Sequence, residues 1–143
     1  MSILSIASSA SAWRGYEYWE DKMVDSWKKV SDSRFEGVVK GSDNNKYQVT
    51  IDVEHPRKSS CNCPHADGRR VVCKHQVALF FTVFPKEAKK YIKEIEEYEE
   101  EMEAIRQDRY NLIEEYVNGL SDKEVRVALI NALIEEEDKD YYY

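Results

Sequence analysis

The chain is predicted to be α+β: a small three-stranded antiparallel sheet with one helix, followed by a mainly α-helical hairpin. Three observations carry this expectation. Tyr47, Val49, Ile51 and Val53 alternate with Gln48, Thr50, Asp52 and Glu54, the period-two pattern of a strand with one buried face. Val77, Ala78, Leu79, Phe80, Phe81, Val83 and Phe84 form an apolar run that reads as a buried helix. Beyond Pro85, apolar residues recur at Ala88, Tyr91, Ile95, Tyr98, Met102, Ile105, Leu112 and Tyr116. Their steps of three and four make a heptad stripe, with Arg109 at its one polar position.

The remaining elements follow in order. Residues 1–12 are small and Ser-rich and are expected to form a flexible or lightly docked arm; they lack the basic start and long apolar stretch of a signal peptide. Trp13 to Asp21, with Tyr16 and Trp19 three apart, predicts a short helix. Met23–Val30 and Arg34–Lys40 read as strands joined across Ser31-Asp32-Ser33, and Gly41-Ser42-Asp43-Asn44-Asn45 is a second turn signal. The Tyr47–Val53 strand completes the sheet and is expected to pack on the apolar helix. Pro85 ends that helix or opens the next, which runs for about 33 residues, about 50 Å. Asn118-Gly119 is a stop, and Ser121-Asp122-Lys123-Glu124 is a capping box opening a last helix. Val125, Leu129 and Leu133, with the neighbouring Ala128, Ile130, Ala132 and Ile134, are expected to supply its apolar face. It is expected to fold back on the long helix and cover about half of its stripe. The closing Tyr141-Tyr142-Tyr143 is read as a frayed end.

All three cysteines lie in one short segment, as Cys61-Asn62-Cys63 and, after nine intervening residues, Cys73-Lys74-His75. Three thiols and an imidazole are the donor set of a tetrahedral zinc site. Residues i and i+2 of a strand face the same side, so Cys61 and Cys63 can present both sulfurs to one point before Pro64 ends the ladder. Cys73 and His75 then open the apolar helix. An odd number of cysteines argues against a disulfide framework, and a Cys61–Cys63 bridge would be strained. His65 is a rival for the fourth position, but it follows Cys63 so closely that the chelate would be cramped; His75 is preferred. His55, before Pro56, reads as a turn residue. The expected cofactor is one structural Zn2+ held by Cys61, Cys63, Cys73 and His75.

The pattern Cys61-x-Cys63, Cys73-x-His75-x-x-Ala78 resembles the SWIM zinc finger of chromatin-remodelling ATPases, Mutator-type transposases and related proteins. The resemblance extends back through Tyr47-x-Val49-x-Ile51 to Arg14-Gly15-Tyr16-Glu17-Tyr18, covering Trp13 to Phe84. It implies a small β-then-α zinc module that binds DNA or protein partners; some SWIM proteins work beside recombinase-like ATPases or transposition machinery. The organisation expected is an arm at 1–12, a SWIM-like module at 13–85, an acidic helical hairpin at 86–137 and a tail at 138–143.

Charge is divided unevenly along the 143 residues. Residues 1–90 hold 15 Lys and Arg against 11 Asp and Glu, and residues 91–143 hold 6 against 17, giving the net −7. A mildly basic zinc half is therefore joined to a strongly acidic one. Such asymmetry suits different partners for the two halves, or a solvated helical surface. No apolar stretch approaches the roughly 20 residues that span a bilayer. Thiols reserved for metal fit a reducing compartment, so an intracellular protein is expected, cytoplasmic or, in a eukaryote, nuclear.

A closed three-Cys, one-His site has no vacancy for a substrate or water, and three thiolates make the metal a poor Lewis acid. The zinc-deaminase pattern His-x-Glu with Pro-Cys-x-x-Cys, Gly-rich phosphate loops and nucleophile motifs do not occur. The expectation is a binding module, not an enzyme, with no small-molecule substrate and no membrane partner. Arg57, Lys58, Arg69, Arg70 and Lys74 cluster around the metal segment and are the candidates for gripping DNA phosphates. The bland alternative is that they offset the anionic zinc–thiolate centre. The competing function is a protein adaptor or regulatory subunit of a DNA recombination, transposition or remodelling complex, without direct DNA contact. A basic or helical protein is expected on the acidic helices. The uncovered part of the stripe points to association through these helices, with a homodimer as one form.

Overall fold

The computed structural model describes residues 2–141. It falls into two compact units, Met1–Lys93 and Glu94–Tyr143. The fold is α+β, as predicted, with the sheet and the metal-ligating segment in the first unit.

Helices α1 (Ile3–Ile6) and α2 (Ser9–Glu20) lead into strands β1 (Val24–Lys29), β2 (Arg34–Lys40) and β3 (Lys46–Asp52). A 3-10 turn (Pro56–Lys58) then precedes β4 (Ser60–Cys61), helix α3 (Lys74–Val83) and the start of α4 (Pro85–Asn118). Pro85 thus takes the opening position of a new helix, where its missing N–H costs nothing.

The sheet has four antiparallel strands in the order β1-β2-β3-β4, not three. The added strand is two residues long and pairs Cys61 with Val49; alternation cannot register in so short a segment. It also moves the expected strand end: Cys61 lies in β4, whereas Cys63 lies beyond it in a bend. A bulge between Val24 and Ser26 interrupts the β1–β2 ladder. Asp25, at this bulge, pairs with Lys40 of the adjacent β2 (3.0 Å) and with Lys46 of β3 (2.7 Å).

The segment expected to be a flexible or lightly docked arm is docked. Ile3 is completely buried, and α2 starts at Ser9 rather than Trp13. The serines act as caps. Ser2 and Ser5 cap one another reciprocally across α1, and Ser8 Oγ accepts from the Ser11 N–H at 3.1 Å. The Ser-rich composition suggests looseness, but here serines start both helices, Ser2 as the N-cap of α1 and Ser8 as that of α2.

The core is built around α3, in which every residue from His75 to Phe81 is buried. A helix apolar on all sides needs cover on all sides, and α3 has it from α2 and from strands β1 to β4. Val39, Val49 and Ile51 supply the sheet face, while Tyr16, Phe81 and Tyr91 join in an aromatic cluster. Trp27 of β1, by contrast, is 45% exposed.

In the second unit α4 continues to Asn118, and Ser121 with Glu124 forms the predicted capping box of α5 (Asp122–Asp140). The Ser121 N–H donates to Glu124 Oε2 at 2.7 Å, and the Glu124 N–H to Ser121 Oγ at 3.3 Å. Both C-terminal helices are therefore present. The burial expected of a hairpin is not: no residue of α5 is buried, and Leu129 and Leu133 are more than half exposed. The physical reason lies in α5 itself, whose apolar residues run round its circumference instead of forming one stripe to match that of α4. Of the closing tyrosines, Tyr142 and Tyr143 lie outside the described residues. No described helix is long and apolar enough to cross a membrane.

Candidate metal centre

Cys61, Cys63, Cys73 and His75 are all buried, and one ligand atom from each lies within 4.8 Å of the others. His75 Nδ1 is 3.8 Å from Cys61 Sγ and 3.7 Å from Cys73 Sγ. Bonds of about 2.3 Å to sulfur and about 2.0 Å to nitrogen would set the tetrahedron's S···N edge near ~3.5 Å. The cage therefore has the size of a zinc site, with Nδ1 as the imidazole donor. His65, the rival ligand, is not part of the cluster.

Each ligand is placed by a different piece of local structure. Cys61 is held by the β3–β4 ladder. Just after it, Asn62 Oδ1 accepts from the Gln48 N–H at 2.9 Å, extending the strand's grip by a side chain. Cys63 opens a turn in which its carbonyl accepts from Ala66 N–H and Asp67 N–H. Gly68, at φ +68°, occupies a left-handed position that residues with a Cβ rarely take. Buried Ala66 and Val72 pin the two ends of that loop to the core.

Cys73 is the N-cap of α3, and its backbone N–H donates to Gln76 Oε1 at 2.6 Å. Gln76 is wholly buried. It is a positioning residue that the sequence reading missed, although Cys73-x-x-Gln76 has the spacing of a capping box. The His75 ring sits between Tyr47 (centroids 4.7 Å apart) and Tyr18 (5.5 Å), which fixes its plane.

The electrostatics suit a cation. The Cys73 thiol is drawn down to about 4 by its hydrogen bond with Cys61 and, against the effect of burial, by His75. The Cys61 thiol is pushed up from the ordinary 9.0, first by that same hydrogen bond and then by burial. A metal ion competes with protons for these sulfurs, so binding is coupled to proton release.

Residues 47–84 match the SWIM zinc finger. The chain contains a SWIM zinc finger. The match begins at the first residues of β3 and ends just after α3, so it leaves out residues 13–46, into which the resemblance had been extended. Neither the curated proteins nor the solved structures give a match. Within the SWIM zinc finger, Cys61, Cys63, Cys73 and His75 are positioned to bind one zinc ion.

The basic candidates lie on three different pieces of local structure. Arg57 and Lys58 are exposed in the 3-10 turn, Arg69 and Arg70 are exposed in the loop, and Lys74 is the first residue of α3. Lys74 borders a groove of about 440 Å3 beside the metal ligands, together with Arg14, His65, Ser8, Ser11, Ser42, Asp43 and Tyr47. Arg14, His65 and the serines were not picked out as binding residues. No spacing rule connects them: the packing of α2 on α3 brings Ser8, Ser11 and Arg14 to the ligand segment, Ser42 comes from the turn between β2 and β3, and His65 lies in the ligand loop itself.

Proposed function

We propose that the SWIM zinc finger is a non-enzymatic module that binds nucleic acid, DNA in the first instance, through the groove beside its metal site. The observation that carries this reading is the lining of that groove. Arg14 and Lys74 border it with the hydroxyls of Ser8, Ser11 and Ser42, and Arg14 makes no ion pair among the described residues. The groove's one carboxylate, Asp43, is engaged by the backbone and side-chain nitrogens of Asn45. Cations with hydroxyl donors are the usual phosphate-contacting groups. Tyr47 supplies an aromatic surface on which a base can stack. The zinc, when bound, supplies rigidity: four protein ligands leave it no open position. Exposed Arg57, Lys58, Arg69 and Arg70 would extend the contact along a strand.

The test is a salt titration of the zinc-loaded chain with fluorescent single- and double-stranded DNA. Replacing Arg14 and Lys74 together by Ala should weaken binding and make the salt dependence shallower by about two phosphate contacts. No measurable binding at about 50 mM salt, where phosphate contacts are strongest, would refute the reading. That result would leave the protein-adaptor function, which the exposed apolar residues of α4 and α5 favour.

A further inference from the structure

We propose that the stripe of α4 in the second unit docks a basic amphipathic helix of another protein. The inference concerns residues 94–116 alone and is independent of the groove and of nucleic-acid binding. Two observations meet on this face. The first is that the stripe is open: Tyr98 is 62%, Leu112 68% and Tyr116 67% exposed, with Met102 and Ile105 exposed between them. A helix with one apolar face is the natural occupant of such a stripe.

The second observation is the charge beside it. Glu94, Glu101, Asp108 and Glu115 recur every seven residues and are all exposed. They form a row of carboxylates along one flank of the stripe, spaced by about 10 Å. Residues 94–105 contain seven Glu and no Lys or Arg. Glu99 brings a carboxylate to the opposite flank, where Arg106 is held by Glu103 of its own helix. The complement of this face is a helix with one apolar stripe and Lys or Arg beside it. Arg109, within the stripe, calls for one acidic or aromatic residue opposite it.

The same row argues against a second copy as the occupant. In an antiparallel self-pair this flank lies against itself, so carboxylate meets carboxylate in every heptad register. In a parallel self-pair Glu94 meets Glu99 and Arg109 meets Arg109, with Glu101 and Arg106 as the one attractive pair. The partner must bring the positive charge that α4 lacks.

The probe is a synthetic peptide of about 21 residues, three heptads with Leu at a and d and Lys at e and g. A second peptide carries Glu in place of Lys. Binding to the zinc-loaded full chain is followed by anisotropy of the labelled peptide, up to about 100 μM protein in about 0.15 M salt. The Lys peptide should bind and the Glu peptide should not. Glu101→Lys combined with Asp108→Lys should weaken the Lys peptide roughly tenfold or more and admit the Glu peptide. Ile105→Asp separates docking from bare charge attraction, because it adds a carboxylate while breaking the stripe. It should weaken the Lys peptide by about tenfold or more. Helical circular dichroism checks that α4 is intact in each variant, and sedimentation of the chain alone should give the single-chain mass of 16.8 kDa. Wild type that binds neither peptide, or both alike, overturns the proposal. So does either variant binding the Lys peptide as tightly as wild type, or a chain that dimerises by itself at these concentrations.

Discussion

Gly15 of α2 lies directly against Val77 of α3. A Cβ at Gly15 would come within 2.5 Å of Val77 Cγ1 and 2.9 Å of the Lys74 carbonyl oxygen. The contact lets two helices approach closely and bears on the turn of α3 that carries Cys73 and His75. It is one place where the sequence outside the matched segment meets the zinc finger.

Gly15→Ala is therefore expected to destabilise the first unit. The substitution gains about 1 kcal/mol of helix propensity, but overpacking a close contact costs about 1–3 kcal/mol. The loss should prevail because one of the two obstacles is backbone. Thermal unfolding followed by tryptophan fluorescence checks it. A variant as stable as wild type would mean that α2 can slide away from α3 without penalty.

Removing the metal should act unequally on the two units. The apparent binding energy of a structural zinc is about 10–16 kcal/mol in small domains, comparable with the whole stability of a domain. A chelator is expected to unfold the first unit, changing the emission of Trp13, Trp19 and Trp27. Much of the helical circular dichroism of α4 and α5 should persist. Elemental analysis should give one zinc per chain before treatment. Retention of native tryptophan emission in fully demetallated protein would contradict this.

Asp52, where β3 ends, gives a pH signature. Burial favours its neutral acid, but the backbone N–H groups of His55 and Glu54 donate to its carboxylate at 2.8 and 3.1 Å. They outweigh burial and hold it below the ordinary 3.8. A carboxyl depressed on folding contributes stability that is complete above its unfolded pKa and lost as pH falls through the folded one. Asp52→Asn should cost about 1–2 kcal/mol at neutral pH. Urea unfolding at successively lower pH should show the gap from wild type narrowing below about pH 4. A gap that stays constant or widens on acidification would show that the carboxylate charge plays no part.

Much of the fold was legible because its signals are local. Tyr47 to Val53 alternates because one face of β3 is buried and the other is not. Ser121 and Glu124 cap α5 through groups three residues apart. Two elements were misread for physical reasons. The β4 strand exists only because Ser60 and Cys61 pair with a neighbour, and residues 1–12 looked loose until α1 found a core in which Ile3 could be buried.

The sequence by itself determined the donor set. Three thiols and one imidazole at this spacing specify zinc through ligand chemistry, and spacing alone favoured His75 over His65. Tertiary structure decided what lies next to that site. Gln76 holding Cys73, Tyr18 and Tyr47 flanking the imidazole, and Arg14 meeting Lys74 across a groove all depend on the packing of helices and strands far apart in the chain. Ligand chemistry is a property of residue types at short separation and can be read in one dimension. Packing depends on which distant surfaces fit together, and that is settled only when the chain has folded.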